Sequence, residues 1–378
     1  MMTTLIWSAG AYCLLTASLH FSSLLIAVRR CRAGRSYQAS PAQAAGVTVI
    51  RPVCGIDNHA EDTLRSTFEL DYPHYEIVFC VAQSKDPVVG LLQRLMAVHL
   101  HVPATLLTGD DPVSDNPKLN NVVKGWRQAA FDWVVIADSN VLMPRDYIQR
   151  LLAAFTPGTG LVCSPPVGCS PEGLWAELEC SFLNSYQARW QYVADSLGVG
   201  FAQGKTMLWR REILEAGGGI RALGAELAED AAATKLVRKL GLRVRLVDAP
   251  FGQPLGSRTA AEIWRRQLRW ARLRRVTFKA FFIPEILVGG IGPIIAAACV
   301  AAATGVSVLG VVLALALAWY GGEVVLARAA AWPLNLRAPF IFLLRDLLLP
   351  ALWVHAWSGS SFVWRGTHMH LAGSGTPG

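Results

Sequence analysis

The chain has 378 residues, of which 53% are apolar and only 16% charged, with a net charge of +8. That balance is too apolar and too poor in charge for an ordinary water-soluble enzyme. The apolar excess gathers at the two ends, leaving room for one domain of roughly 230 residues between hydrophobic segments.

In chain order, the first element is the uncharged run 5–28, about 24 residues and long enough to cross a bilayer. Arg29, Arg30, Arg32 and Arg35 follow it, and no Lys or Arg precedes it. A secretory signal carries its charge in front, so this run is expected to be an anchor. The arginines place the N-terminus outside and the following residues in the cytosol. After a polar linker around 33–46, strands are expected at 47–52, 75–82, 104–108, 132–138, 160–164 and 242–248. Helices are expected near 59–70, 86–99, 116–130, 145–155, 172–193, 210–216 and 226–240. This alternation predicts an α/β domain with a mostly parallel sheet over 45–262. Ligands of such sheets lie beyond the carboxyl ends of the strands.

A basic stretch follows. Arg265, Arg266, Arg269, Arg272, Arg274, Arg275 and Lys279 occur with no acid among them, directly before the next apolar tract. Adjacency to that tract predicts an interfacial helix over 263–280 that meets anionic headgroups, and no nucleic-acid partner is expected. The tract 281–327 fits two spans turning near Thr304–Ser307, and Arg328 and Arg337 mark the return to the cytosol. The last tract, 339–357, holds Arg345 and Asp346, an ion pair costly in hydrocarbon; a third C-terminal span and a re-entrant interfacial helix both fit it. The four expected parts are an anchor (1–30), the α/β domain (45–262), the basic helix (263–280) and a C-terminal membrane region (281–378). The eight cysteines show no CxxC pair and are expected to be reduced thiols.

Several residues carry possible chemistry. In 132–140, Asp-Trp-Val-Val-Ile-Ala-Asp-Ser-Asn, Asp138 ends a buried strand, where a carboxylate holds Mg²⁺ or Mn²⁺ against a diphosphate; the plainer reading is a turn cap. In Ala228-Glu229-Asp230, which opens a helix, Asp230 is either an acid favoured by the helix dipole or the base that deprotonates an acceptor hydroxyl. Arg266, Arg269 and Trp270 form an RxxRW pattern suited to clamping pyrophosphate and stacking on a ring, or to anchoring the interfacial helix. Asp86-Pro87 either faces a uracil ring or caps a helix. Asn116-Pro117-Lys118-Leu119-Asn120-Asn121 places Lys118 at a helix start, where phosphates bind. GxGxxG, GxxxxGK[ST], HExxH and GxSxG are all absent, which argues against dinucleotide-cofactor and P-loop chemistry.

Taken in order, these words, together with Glu69-Leu70-Asp71-Tyr72-Pro73 and a late Trp364-Arg365-Gly366, resemble the ceramide glucosyltransferase family of membrane-bound GT-A glycosyltransferases. The resemblance spans about 47–370. It implies inverting transfer of a sugar, typically glucose from UDP-glucose, to the primary hydroxyl of ceramide, with diacylglycerol or a hopanoid as other acceptors. It further implies that Asp86 contacts the nucleotide, that Asp138 stands at the metal position and that Asp230 is the base. Lys118, Arg266, Arg269 and Trp270 would lie along the donor and its diphosphate. Asn140 stands where a strict DxD motif has Asp, which concentrates metal binding on Asp138. The Ala/Arg-rich composition implies a bacterial inner membrane protein with its domain on the cytosolic face. Two rival classes are a processive polysaccharide synthase, for which the spans are too few to form a channel, and a transporter or lipid-binding scaffold, against which the intact carboxylates argue.

Overall fold

The computed structural model describes residues 2–35, 45–359, 361–364 and 367–370, the last two segments by backbone alone. Most of the linker and, from the tail motif, Arg365 and Gly366 lie outside the described residues. The chain forms a long helix α1 (Met2–Arg35), then β1 (Val47–Val53), α2 (Ala60–Arg65), β2 (Tyr75–Val81), α3 (Val88–Val98), β3 (Ala104–Thr108), α4 (Pro117–Gln128), β4 (Trp133–Ala137) and α5 (Tyr147–Ala153). There follow β5 (Thr159–Cys163), β6 (Val167–Glu172), α6 (Gly173–Ser181), a π-helical turn (Phe182–Ala188), α7 (Arg189–Ser196), β7 (Thr206–Arg210), α8 (Arg211–Ala216), α9 (Glu229–Lys239), β8 (Arg243–Leu246) and β9 (Gly252–Ser257). The helices α10 (Ala260–Thr277), α11 (Lys279–Phe282), α12 (Ile291–Thr304), α13 (Val308–Ala330) and α14 (Ala338–Trp357) complete the chain with a hairpin of β10 (Ser361–Trp364) and β11 (Thr367–His370).

Two compact units result. One comprises Arg30–Ser170 and Trp190–Gly256. Its seven-stranded sheet has the order β3-β2-β1-β4-β7-β5-β8. β3, β2, β1 and β4 run parallel, as do β5 and β8, while β7 is antiparallel to both its neighbours. The expected α/β class with a mostly parallel sheet is therefore found. Every residue of β1 is buried, because Val47, Val49 and Val53 face one layer of helices while Thr48 and Ile50 face the other. One core joins Val49, Ile77, Phe79 and Val135 of the strands to Leu92 of α3 and Tyr147 of α5. The carboxyl ends of β1, β2 and β4 share one edge, and the chain order reverses between β1 and β4. That is the crevice where open sheets hold ligands.

The six expected strands agree with observed ones to within about two residues, and five observed strands, β6, β7, β9, β10 and β11, were not expected. β7 (TMLWR) was not expected, since it is short and has one β-branched residue. β6 (VGCSPE) and β9 (GQPLGS) are rich in Gly, Pro and Ser, composition that reads as loop.

The other unit comprises Met1–Arg29, Pro171–Arg189 and Ser257–Gly378. Among the described residues, three helices are long and apolar enough to cross a membrane, within Thr3–Gly34, Val308–Ala330 and Ala338–Trp357. Of the expected pair of spans in 281–327, α13 is one, and Lys279–Leu287 with α12 stands for the other as a bent pair, a broken span or a re-entrant loop. α12 has only 14 residues, and the segment Lys279–Leu287 before it is bent by 42° from it. The break falls after Pro284, at Gly289-Gly290, where Gly289 has φ 115°, a conformation costly for any residue with a Cβ. The expected charged pair of the last tract is buried and matched. Arg345 reaches both Glu323 oxygens at 2.8 Å and Asp346 Oδ1 at 2.7 Å, and it donates to Ser185 Oγ at 2.6 Å. Arg189 donates to His20 Nδ1 at 3.0 Å and lies 3.7 Å from Glu323. Asp346 accepts from the Gly290 backbone at 2.7 Å. Two cations thus meet two anions, the condition under which buried charge is tolerated.

Candidate active site

Asp138 follows β4, and its backbone N–H donates to Lys205 O at 3.1 Å. The turn behind it is held by Arg51, a fully buried side chain of β1 that donates to Ser139 O at 2.9 Å and Val141 O at 3.3 Å. Burial without a carboxylate partner lowers the Arg51 guanidinium to about 10. Arg51 thereby fixes where Asp138 and Asn140 point.

The second contributor is the start of α4. Asn116 caps this helix, accepting from the Lys118 and Leu119 backbone at 2.9 and 3.1 Å, and Pro117 takes the first helical position, where no N–H is needed. The cap aims Lys118 at three acceptors. Its Nζ lies 2.6 Å from Asp138 Oδ1, 2.6 Å from Glu229 Oε1 and 2.6 Å from Gly204 O. The third contributor is the start of α9, where Glu229 and Asp230 fill the first turn. Asn116 Nδ2 donates to Glu229 Oε2 at 2.7 Å, tying the two helix starts together. Asp230 Oδ2 accepts from the Gly204 backbone at 3.1 Å. A Cβ on Gly204 would lie 2.7 Å from Glu229 Oε1 and 3.3 Å from Lys118 Nζ. Only glycine admits so close an approach.

Sequence reasoning missed Lys205. Its Nζ lies 2.8 Å from Asp138 Oδ2 and 3.1 Å from Asn140 Oδ1. Nothing marks this lysine in sequence, because it stands alone at the start of β7. Glu229 was read as part of a helix start, not as the lysine's partner.

Electrostatics follow from this crowding. Burial pushes Asp138 upward, but the ammonium groups of Lys118 and Lys205 outweigh it and hold the carboxyl well below its ordinary range. Burial also opposes charge on Lys118, and the carboxylates of Asp138 and Glu229 more than compensate, raising it. Asp230 behaves differently. Burial first, then the charge of Glu229, push its carboxyl up to about 6, against a weaker downward pull from Lys118.

The other expected site residues are placed as follows. Asp86 lies at the same sheet edge, past β2; its carboxylate accepts from the Gly55 backbone at 2.9 Å and from the Val88 backbone at 2.9 Å, so it pins the loop after β1 to the start of α3. Asp138, Lys118 and Asp230 therefore come together, and Asp86 stands along the edge on its own partners. Arg266, Arg269 and Trp270 belong to the other unit, on α10, whose start is closed by a capping box between Thr259 and Glu262. Arg266 pairs there with Glu179 at 2.7 Å, and Arg269 and Trp270 are half-buried.

Among the described residues no group of three His, Cys, Asp or Glu side chains is spaced to hold a metal ion. Asp138 and Asn140 nevertheless converge on one point, the Lys205 ammonium. A carboxylate and an amide oxygen so placed fit a hard divalent cation whose remaining ligands are phosphate oxygens and water.

A family model described as glycosyl transferase family 21 matches residues 15–376. The chain belongs to glycosyl transferase family 21. This agrees with the resemblance carried by the ordered motifs, and it makes the protein a glycosyltransferase. Among relatives, ceramide glucosyltransferase 3 of Caenorhabditis elegans is 25% identical over 339 residues, covering 87% of this chain and 73% of that protein. Ceramide glucosyltransferase 1 of the same organism is 28% identical over 244 residues, covering 64% of this chain and 52% of that protein. The ceramide glucosyltransferase of Komagataella phaffii is 40% identical over 118 residues, 30% of this chain and 23% of that protein. The chain thus spans about three quarters of the first worm protein and about half of the second. A solved structure, the mannosyltransferase PcManGT of Pyrobaculum calidifontis in complex with GDP-Man and Mn²⁺, is 20% identical with a TM-score of 0.47, covering 90% of this chain and 99% of that one.

Proposed function

We propose that this family 21 member transfers glucose from UDP-glucose to the primary hydroxyl of ceramide with inversion, giving glucosylceramide. The observation that carries the reading is the Lys118-centred cluster, which joins Asp138, Glu229 and, through Gly204, Asp230 at the carboxyl edge of the sheet. The relatives, which are ceramide glucosyltransferases, suggest the acceptor and the sugar.

In this reading Asp230 accepts the proton of the attacking hydroxyl. A carboxyl near 6 suits that task, since a base works best when its proton affinity lies close to the operating pH. Lys118 meets the leaving diphosphate by exchanging one carboxylate partner for phosphate oxygen, and α4 contributes its N-terminal N–H groups. Asp138 and Asn140 would hold Mg²⁺ or Mn²⁺ together with the donor, and the ion's chemistry is neutralisation of the leaving diphosphate. Asp86 lies on the nucleotide side, while Arg266, Arg269 and Trp270 serve the diphosphate and acceptor. Membrane association follows from the apolar helices, and the arginines after α1 put the catalytic domain on the cytosolic face of a membrane, that of a bacterium by the Ala/Arg-rich composition.

The test offers the purified full chain several UDP-sugars against ceramide, diacylglycerol and a hopanoid, and identifies product by mass spectrometry and its anomeric configuration by NMR. Glucosylceramide of inverted configuration is expected. A glycolipid built on another acceptor overturns the acceptor assignment, and no glycolipid at all overturns the transfer.

A further inference from the structure

The unit of apolar helices encloses a cavity of about 310 Å³ that the transfer chemistry does not use. One wall is a single helical face. Glu177, Cys180, Ser181, Asn184 and Ser185 line it at the i, i+3, i+4, i+7, i+8 spacing of α6 and the π-helical turn that continues it. Such π turns concentrate at functional positions. The opposite wall comes from the connection between α13 and α14 and the first turn of α14, including Trp332, Ile341 and Phe342. The cavity is therefore polar on one side and apolar on the other.

Two observations narrow what fits. Glu177 Oε2 is shut away from solvent and has no hydrogen-bond partner. A buried acceptor left unmet costs free energy, which an incoming O–H or N–H donor would recover. The neighbouring hydroxyls cannot serve it, because Ser181 Oγ donates to Leu178 O at 2.7 Å and Ser185 Oγ donates to Ser181 O at 3.3 Å. In addition, among the described residues no Lys, Arg or His lines the cavity. An anionic headgroup would face the Glu177 carboxylate inside the cavity, where the guanidinium behind the wall, Arg345 on Ser185 Oγ, is already matched by Glu323 and Asp346. The connection 331–337 lies between two helices long enough to cross a membrane and is flanked by Arg328 and Arg337. Those arginines and Trp332 are residues that settle at headgroup depth.

We propose that this cavity binds the polar head and adjoining methylenes of a neutral, hydroxyl-bearing membrane lipid, with Glu177 accepting a hydrogen bond from its hydroxyl or amide. The assignment rests on the reading that the acceptor is a lipid, and it adds the subsite that recognises it.

The full chain in lipid nanodiscs is irradiated with diazirine analogues of ceramide, diacylglycerol and phosphatidic acid, and the labelled peptides are identified by mass spectrometry. Ceramide or diacylglycerol analogues should label residues 177–185 and 332–342, with competition by the unlabelled lipid, and the phosphatidic acid analogue should not. Loss of a charged acceptor predicts that Glu177→Ala weakens competable labelling about tenfold or more. The same variant should raise KM for the lipid and leave KM for UDP-glucose unchanged, a split that general destabilisation does not produce. Ala338→Leu, which fills the cavity and keeps Glu177, should also suppress labelling, so the test survives if the first variant fails to fold. Labelling confined to other peptides, or equal labelling by phosphatidic acid, overturns the proposal. Glycolipid formation with labelling elsewhere sinks the subsite alone, whereas labelling here without any glycolipid sinks the transfer reading alone.

Discussion

Asp230 stands one residue from Glu229 and within reach of the Lys118 cluster, and that crowding sets its affinity for a proton. Its carboxyl lies near 6 against an ordinary 3.8. The folded chain therefore favours the protonated form. Its contribution to stability is full below about 4 and is lost as pH rises through about 6. Activity runs the opposite way, because a base must be ionised: kcat/KM should fall on the acid side with a limb near pH 6. Glu229→Gln removes the like charge, so that limb should move to lower pH. A limb that stays put in this variant would remove Asp230 from the role of base. Lys205 supports a second prediction at this scale. Its ammonium occupies the point on which Asp138 and Asn140 converge, and like charge at that distance opposes a divalent ion by several kcal/mol. Lys205→Met should raise Mn²⁺ affinity without UDP by about tenfold or more, read by electron paramagnetic resonance of free Mn²⁺. Unchanged affinity would show that the lysine does not guard that seat.

The starts of α4 and α9 organise the cluster around Lys118, and helix starts differ in how visible they are in sequence. Asn116-Pro117 announces α4 by its cap and its proline, a local signal that sequence reasoning used; the capping box of Thr259 and Glu262 that opens α10 went unread, so that helix was expected only from 263. The parallel strands β1, β2 and β4 are legible from local signals too, as short runs of buried β-branched residues. The rest of what escaped is non-local. β7 is inserted antiparallel between β4 and β5, and its leading lysine acquires meaning only once that pairing brings Lys205 to Asp138. Likewise, 172–193 reads as a helix, but nothing in its composition reveals a π turn or the partners of Ser185 and Arg189. On α10, the RxxRW pattern makes a further prediction. Arg269→Lys keeps the charge and loses the planar fork, so transfer should slow about tenfold or more while the melting temperature holds. Near-normal turnover would leave α10 as a helix that only meets headgroups.

At the scale of the molecule, the apolar ends were evident from composition and the α/β middle from alternating strand and helix patterns, and the family assignment rests on a family model that matches residues 15–376. The bend in the first of the two spans expected in 281–327 was less legible: Pro284 and Gly289-Gly290 interrupt the tract that begins at Phe281 and leave α12 only 14 residues long. The account as a whole depends on one division of labour: Lys118 and Asp138 hold the donor, and Asp230 activates the acceptor. The most direct measurement compares Asp230→Asn with the native chain in one preparation, following glucosylceramide formation and UDP binding by calorimetry together. Transfer should fall by at least about a hundredfold, in line with loss of a general base, while UDP affinity stays within about threefold of the native value. Native transfer rates in the variant, or loss of UDP binding together with transfer, would contradict it.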